Sequence, residues 1–292
     1  MNKKGLCILN AYLILPGAER FYERMKEELA FLGISLEKTT NAEILSYIKD
    51  GSVSGRKIDA DFILYLDKDL YSSYLLEKRG CRLFNSARSV ELCDDKMLTH
   101  LFLANRGIKM PTTIAGPLNY STNNSALFIS NLEKLLSFPL VAKDNFGSLG
   151  QNVYLINDEK ALLQFEDEHR YSPRLYQEYI ASSKGMDYRI IVIGGRFVAG
   201  MKRINDKGDF RSNISLGGHG EPAQIPTDFI SMAEKAARIL NLDYCGVDIM
   251  IGKNGEPILC EVNSNAFIGG IEPTTGINVA KIYAEYIARQ IA

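Results

Sequence analysis

Hydrophobic and polar positions in the first 90 residues follow two alternating patterns, one typical of strands and one of helices. The apolar run at residues 6–15 predicts a buried strand, and an amphipathic stretch at residues 18–33 predicts the helix that follows it. A second helix is predicted at residues 42–51, with Asn41 as its N-cap. The remaining predicted elements are the strands ISLEKTT, DFILYLDK and CRLFNS and the helix LYSSYLLEKRG. Strands that alternate with helices indicate a parallel sheet, so residues 1–90 are predicted to form a small α/β domain.

The pattern changes after residue 90, where strands follow one another in hairpins. Two strands flank Gly194 and Gly195, and the strands YCGVDIMIG and EPILCEVN are joined by KNG. One long helix is predicted across residues 89–107, and another after the polar run at residues 121–125. These signals predict an α+β domain of antiparallel sheets with packed helices.

Boundaries within this second domain, residues 91–292, follow from the same pattern. A central, lid-like subdomain is expected at about residues 108–181, and a C-terminal subdomain at about residues 182–292. Residues 205–225 are polar and rich in glycine, with little periodicity. A loop of that length inside a compact domain usually has a function or is disordered.

Composition limits the classes of partner. The chain has 34 basic and 35 acidic side chains, so its net charge of -1 gives no reason to expect a nucleic-acid partner. No apolar run reaches the ~18–20 residues of a membrane span, so no membrane partner is expected. The five cysteines form no CxxC pair, which is typical of reduced thiols and a cytoplasmic location. The short basic and then apolar N-terminus is interpreted as a first strand and not as a signal peptide, because Asn10 interrupts the apolar run.

Three oxygen donors lie on two neighbouring strands near the C-terminus. Asp248 is in YCGVDIMIG, and Glu261 and Asn263 are two positions apart in the paired strand, so they share a face. Carboxylate and amide oxygens suit Mg²⁺. The alternative is a set of polar residues on a half-exposed sheet, but a carboxylate in an apolar run is costly unless paired or metal-bound. The sequence therefore predicts a metal site.

A lysine at the end of an apolar strand precedes a Gly/Ser loop. Lys143 is followed by Gly147, Ser148 and Gly150, a pattern that can bind phosphates through backbone N–H groups and an ammonium. The order of a P-loop is absent, and hairpin turns also use glycine and serine. Taken alone, the pattern leaves both interpretations open.

Further polar residues have the chemistry of a nucleotide site. Glu178 on the strand edge QEYI can read an adenine amino group, and Asp187 can accept from ribose hydroxyls; an ordinary edge strand is the alternative. Arg203, Arg211 and Asn213 lie in or beside the long polar loop. Guanidinium groups suit phosphate and carboxylate oxygens, although a solvated basic loop would contain the same residues.

Taken in order, these motifs resemble the ATP-grasp superfamily. The set is Asp95-Lys96, Lys143 with its Gly-rich loop, QEYI, Asp187-x-Arg189, Arg203, GDFRSN at 208–213, GVDI at 246–249 and EVN at 261–263. GDFRSN followed by GG, and GIEPTTGINVA at 270–280, resemble its RimK-type branch. The resemblance spans about residues 94–288. The segment after Asn263 departs from the family pattern, reading Ser-Asn-Ala-Phe where relatives often have Ala-Ser-Pro-Gly.

The resemblance implies nucleotide and metal roles. Lys96 and Lys143 would contact the ATP phosphates, with the loop of Gly147, Ser148 and Gly150 around them. Adenine and ribose would be held by Glu178, Tyr179, Ile180, Asp187 and Arg189. Two Mg²⁺ ions, with Mn²⁺ as an alternative, would be bound by Asp248, Glu261 and Asn263.

It also implies a reaction. ATP would phosphorylate a carboxylate, and an amine would attack the acyl phosphate to form an amide, with Arg203, Arg211 and Asn213 as catalytic residues. The substrates would be an amino acid such as glutamate and a carboxylate acceptor that is a small molecule, a peptide or a protein tail. A homo-oligomer is a further expectation. The alternatives are a ligase for a different amino acid or peptide, and an ATP-binding regulatory module without ligase activity.

Overall fold

The computed structural model describes residues 3–120 and 126–292, so the polar run at residues 121–125 lies outside the described residues. In the N-terminal part, four parallel strands form a sheet in the order β2-β1-β5-β6. The elements of this part are β1 (Lys4–Leu9), α1 (Pro16–Phe31), β2 (Ser35–Thr40), β3 (Ser46–Lys49), β4 (Ser52–Gly55), β5 (Phe62–Tyr65), α2 (Leu70–Lys78) and β6 (Leu83–Phe84). The parallel α/β organisation predicted from the sequence is confirmed.

The helix predicted at residues 42–51 is wrong, because this segment forms part of the antiparallel hairpin of β3 and β4. Asp50 and Gly51 form its turn, with φ values of 50° and 73°. An Asp-Gly pair in left-handed conformation is the preferred two-residue hairpin turn. The helical periodicity that precedes this pair concealed the turn signal.

The single helix predicted across residues 89–107 is two helices, α3 (Ala87–Asp94) and α4 (Lys96–Leu103). Asp95 separates them: its backbone is extended, and its carboxylate accepts hydrogen bonds from the backbone N–H groups of Met97 and Leu98. Such a carboxylate cap satisfies donors that the first turn of a helix leaves unpaired. The break makes Lys96 the first residue of α4.

The central part is an antiparallel sheet in the order β7-β10-β8-β9 with two helices on one face. Its elements are β7 (Thr113–Ala115), α5 (Ala126–Glu133), β8 (Leu140–Asp144), β9 (Val153–Ile156), α6 (Glu159–Glu168) and β10 (Arg174–Glu178). Leu140 and Ala142 pack against the helices, whereas Val141 and Lys143 point to the opposite face. This alternation follows from the two-residue period of a strand.

The C-terminal part has a five-stranded antiparallel sheet in the order β13-β12-β11-β14-β15. Its elements are β11 (Met186–Ile193), β12 (Arg196–Ile204), β13 (His219–Pro222), α7 (Thr227–Ile239), β14 (Tyr244–Ile251), β15 (Pro257–Asn263), α8 (Ile271–Thr275) and α9 (Val279–Gln290). The predicted hairpins β11–β12 and β14–β15 are confirmed. Gly194 and Gly195 form the first turn with φ values of 57° and 73°.

One apolar core joins the N-terminal and C-terminal sheets. Phe21 and Met25 of α1 pack with Ile191 of β11 and Tyr283 of α9, all almost fully buried. This core holds the ends of β1 and β5 next to the C-terminal sheet. Among residues 3–120 and 126–292, no helix is both long and apolar enough to cross a membrane.

Candidate active site

A cavity lies between the central and C-terminal sheets. All of the site residues predicted from the sequence line it except Arg189. They come from β8, β10, β11, β12, β14 and β15, from the start of α4 and from three loops. The fold therefore brings together residues that are up to 167 positions apart, from Lys96 to Asn263.

Two lysines lie on the central-sheet side of this cavity. Lys143 is only 8% exposed, and among the described residues nothing forms an ion pair or hydrogen bond with its Nζ. The Nζ of Lys96 donates to the carbonyl oxygens of Gly147, at 2.9 Å, and Asn145, at 3.3 Å. Burial lowers the pKa of Lys96, and the positive charges of Lys143 and Lys68 act in the same direction. A buried, unpaired ammonium is costly, so Lys143 favours an anionic ligand.

The glycine loop at residues 147–150 contacts the loop that contains GDFRSN. Arg211 donates from Nη1 to the carbonyl oxygen of Gly150 at 2.6 Å, and Asp209 accepts from both Nε and Nη2 of the same guanidinium. Gly150 has φ 74°, and a Cβ there would lie 3.0 Å from Oδ1 of Asn213. The two loops therefore meet through Arg211.

A strand edge at the end of β10 offers unpaired backbone groups. Glu178 accepts hydrogen bonds from the backbone N–H and the hydroxyl of Thr112, at 3.3 and 3.2 Å. In the described part of the chain, no group accepts from the backbone N–H of Tyr179 or Ile180. Free backbone donors in a cavity wall can bind the edge of a base.

Apolar side chains on the same walls were missed by the sequence analysis. They include Val141, Met186, Phe210 and Met250. Val141 lies two residues before Lys143, and Met250 lies two residues after Asp248. The two-residue period of the strands was therefore a signal that could have placed both on the cavity face.

Arginine and aspartate side chains form a buried network on the C-terminal sheet. Arg203 lies opposite Asp187 in the strand register and donates from Nε to its carboxylate at 2.7 Å, while its Nη2 lies 2.9 Å from Asp248. Arg189 lies opposite Asp248 and binds both of its oxygens. Nη1 of Arg203 has no partner among the described residues. This atom remains available to an anion in the cavity.

The predicted metal residues are adjacent. Asp248 and Glu261 lie opposite each other on β14 and β15, and Nδ2 of Asn263 donates to Glu261 at 3.0 Å. Burial by itself would raise the pKa of Glu261, but the Lys96 charge and the Asn263 hydrogen bond outweigh it and hold that pKa well below its usual range. Burial raises the pKa of Asp248, against the opposing effect of Arg189 and Arg203.

The donor set fits a hard divalent cation. Glu261 is ionised at neutral pH, and Asn263 can present its amide oxygen once the amide is turned over. Asp248 is shared with two arginines. Within the described ranges, no group of three or more His, Cys, Asp or Glu side chains could hold a metal, so the candidate set consists of two carboxylates and the amide of Asn263.

We expect Glu261→Gln to weaken Mg²⁺ binding by at least about 10- to 100-fold, the loss typical of changing a residue that only supports a ligand, because the amide lacks the charge that the ion requires. Titration calorimetry with Mg²⁺ in the presence of ADP measures this directly. Glu256→Gln is the matched control, since Glu256 pairs with Lys109 at the surface. Equal affinities for the two variants would remove Glu261 from the metal site.

A second cavity, of about 730 Å³, adjoins the first. Arg203, Asn213, Glu261 and Asn263 border both, and Arg189 lines only the second. From this junction the second cavity reaches the carboxyl ends of β1 and β5. The two cavities therefore share the cluster of arginine, asparagine and carboxylate groups.

Comparisons with curated proteins show relatives named as synthases and ligases. Human beta-citrylglutamate synthase B is 30% identical over 279 residues, which cover 90% of this chain and 70% of that protein. Human N-acetylaspartylglutamate synthase A is 32% identical, over 75% of this chain and 56% of its own length. A probable alpha-L-glutamate ligase of Stenotrophomonas maltophilia is 34% identical, over 73% of this chain and 71% of its own length. The chain thus spans from just over half to about seven tenths of the length of these relatives.

Solved structures share the fold. The RimK domain ATP-grasp protein of Sphaerobacter thermophilus has a TM-score of 0.72 at 17% identity, covering 97% of this chain and 99% of that one. The ATP-grasp ligase PsnB, complexed with a phosphomimetic variant of its minimal precursor, Mg and ADP, has a TM-score of 0.72 at 15% identity, covering 100% and 99%. At these identities the likeness concerns the fold alone.

A family model identifies the family of the chain, which structural similarity at these identities does not. The model of the RimK-like ATP-grasp domain matches residues 93–287, which include every site residue described above. The motifs, the antiparallel sheets around the first cavity and the named relatives agree with it. The chain belongs to the RimK-like ATP-grasp family.

Proposed function

We propose that this chain is an ATP-dependent carboxylate–amine ligase that forms an amide bond through an acyl phosphate. The observation that carries the proposal is the pairing of a buried, unpartnered lysine, Lys143, with the Arg203 network on the opposite wall of the same cavity. Such a pair can bind a polyphosphate from both sides. The relatives named for citrylglutamate, N-acetylaspartylglutamate and alpha-L-glutamate ligation support the reaction class.

Each part of the nucleotide has a matching surface. The apolar wall and the free backbone donors of Tyr179 and Ile180 suit adenine. Lys96 and Lys143 suit the phosphates, and Asp187, which lines the same cavity, would accept hydrogen bonds from the ribose hydroxyls. Glu261, Asn263 and Asp248 would hold Mg²⁺, which neutralises charge on the phosphate oxygens.

Phosphoryl transfer and amide formation require little covalent chemistry from the protein itself. A carboxylate oxygen bonds to the γ-phosphorus as the bond to the β-phosphate oxygen breaks, giving an acyl phosphate and ADP. The amine then forms a C–N bond to the acyl carbon, inorganic phosphate leaves, and the nitrogen loses a proton. Nη1 of Arg203, which has no partner among the described residues, would stabilise charge on the transferred group.

The two loops would control access. The first cavity measures about 110 Å³, well below the ~300 Å³ at which small-molecule sites begin, so the loops must separate to admit ATP. Once they meet again through Arg211, they exclude water that would hydrolyse the acyl phosphate.

The test is phosphate release from ATP and Mg²⁺, with amino acids and carboxylic acids supplied singly and in pairs. Glutamate is the first amino acid to supply, because the relatives are named for it. Release that requires both an acid and an amine supports the ligase. Binding of ATP without stimulated release by any pair would favour a regulatory module.

In this assay we expect Arg211→Ala to lower release about ten-fold, because the loops lose the contact that joins them. Arg106→Ala, outside the cavity, is the control. Product analysis by mass spectrometry should also show more free phosphate per amide formed, since water reaches the intermediate. An unchanged ratio of phosphate to amide would contradict the role in excluding water.

A further inference from the structure

The second cavity has the size of a substrate site. Its volume of about 730 Å³ lies within the range of ~300–1,000 Å³ typical of small-molecule pockets. Its lining includes Arg203 and Asn263, where the phosphate would be transferred, and also Asn10 and Asp67. A bound molecule can therefore contact both this cluster and the edge of the N-terminal sheet.

Cations on the walls of this cavity are already paired. Lys68 lies 2.6 Å from Asp94, Arg189 binds Asp248, and Arg203 binds Asp187 and Asp248. In the part of the chain that the structure describes, the lining offers no other lysine or arginine. An acidic substrate side chain would therefore find no unpaired positive charge away from the phosphate end.

A carboxylate that the N-terminal sheet contributes to the lining has the opposite character. Asp67 accepts hydrogen bonds from Nδ2 of Asn41 at 2.7 Å, from Nδ2 of Asn10 at 3.2 Å and from its neighbour's backbone at 2.7 Å. Among the described residues no cation pairs with it. Burial raises its pKa, as expected for a carboxylate without a countercharge.

The two amides that hold Asp67 are themselves fixed. The side-chain oxygen of Asn10 accepts from the backbone N–H groups of Tyr12 and Leu13, and that of Asn41 accepts from Ala11. Their NH₂ groups must therefore face Asp67. Asn265, in the segment that departs from the family pattern, donates to the backbone oxygen of Asp67 at 3.1 Å. The Asp67 carboxylate is thus held in one position at the cavity wall.

The rest of the lining is mostly apolar. They include Leu13, Ile14, Leu66, Ile214 and Phe267. The Phe267 ring packs against Gly17 at the start of α1, where a Cβ would lie 2.5 Å from the ring. Such a wall gains by burying an apolar side chain and offers nothing to a carboxylate.

We propose that the second cavity binds an amino acid substrate whose ammonium group pairs with Asp67, whose carboxylate lies at the cluster of Arg203 and Asn263, and whose side chain is apolar. This inference rests on the proposed ligase function, because it names the class of amino acid that the ligase takes. Leucine, methionine and phenylalanine belong to that class, and glutamate does not. The geometry at Asp67 supplies the countercharge, and the walls supply the preference for the side chain.

The experiment measures binding and not turnover. Titration calorimetry with the full chain, ADP and Mg²⁺ compares L-leucine, L-methionine and L-phenylalanine with L-glutamate and with 4-methylpentanoate, which is leucine without its amino group. We expect at least one apolar amino acid to bind ten-fold or more tightly than glutamate, and leucine ten-fold or more tightly than 4-methylpentanoate. Asp67→Asn should also weaken binding of that amino acid by ten-fold or more.

Asp59→Asn is the matched control, because Asp59 forms a surface pair with Lys4 outside the cavity. The affinity of the Asp59→Asn variant for the amino acid should equal that of the unmodified chain. If Asp67→Asn does not unfold cooperatively, the comparison of leucine with 4-methylpentanoate on the unmodified chain decides the role of the ammonium group. Tighter binding of glutamate, equal binding of 4-methylpentanoate, or no binding of any amino acid would each overturn the inference.

The two proposals fail in different ways. If leucine binds but no acid and amine pair releases phosphate, the site stands and the ligase function fails. If glutamate supports phosphate release and the apolar amino acids neither bind nor react, the ligase function stands and the preference for an apolar side chain is wrong.

Discussion

Lys143→Met is expected to abolish most ATP turnover without destabilising the protein. The substitution keeps the length of the side chain and removes a buried charge that has no partner in the described residues. Loss of one such electrostatic contact to a reacting phosphate typically costs about 10²–10³-fold in rate. Because an unpaired buried ammonium is itself unfavourable, the melting temperature should stay the same or rise.

The measurement pairs phosphate-release kinetics with thermal unfolding of the same samples. Lys160→Met, on α6 and outside both cavities, is the control and should change neither quantity appreciably. If Lys143→Met lowers the melting temperature as well as the rate of phosphate release, Lys143 acts through the stability of the fold. Retained kcat/KM for ATP would exclude it from the phosphate site.

Arg203→Ala is expected to destabilise the protein by about 3–5 kcal/mol, because it leaves buried carboxylates without their countercharge. Arg203 is 5% exposed and bridges Asp187 and Asp248, which are 6% and 1% exposed. Arg203→Lys should recover little of this loss, since an ammonium cannot reproduce the planar contact with two carboxylates. Urea unfolding measures the loss of stability of each variant. The urea concentration at the unfolding midpoint should shift, while the dependence of the unfolding free energy on urea concentration stays the same.

The control for this prediction is a surface ion pair. Arg88→Ala removes the partner of Glu91, and such exposed pairs contribute only about 0–1 kcal/mol. A second test is the double variant Arg203→Met with Asp187→Leu, which removes both charges and should be more stable than Arg203→Ala. If Arg203→Ala behaves like Arg88→Ala, the buried network does not stabilise the fold as described.

Local patterns in the sequence determined most elements and several site residues. The Gly194-Gly195 pair specified the β11–β12 turn, because glycine adopts the left-handed conformation that this turn requires. The two-residue period of β15 placed Glu261 and Asn263 on one face. Such features depend only on neighbouring residues, so a short window contains them.

Two local predictions failed because competing signals lay in the same window. Asp50 and Gly51 turn the chain where helical periodicity predicted a helix, and Asp95 caps a new helix where one continuous helix was expected. In both cases a single turn or cap residue outweighed the periodic pattern around it.

Only the tertiary structure decided which residues from distant parts of the sequence contact each other. Strand register, which depends on the packing of whole sheets, placed Arg203 opposite Asp187 and Arg189 opposite Asp248. The contact of Arg211 with Gly150 joins loops 61 residues apart. The second cavity exists because the core of α1 and α9 holds Asp67 beside the C-terminal sheet. The sequence alone therefore indicated which residues form the candidate site, whereas packing decided which of their charges are paired and which remain free for a ligand.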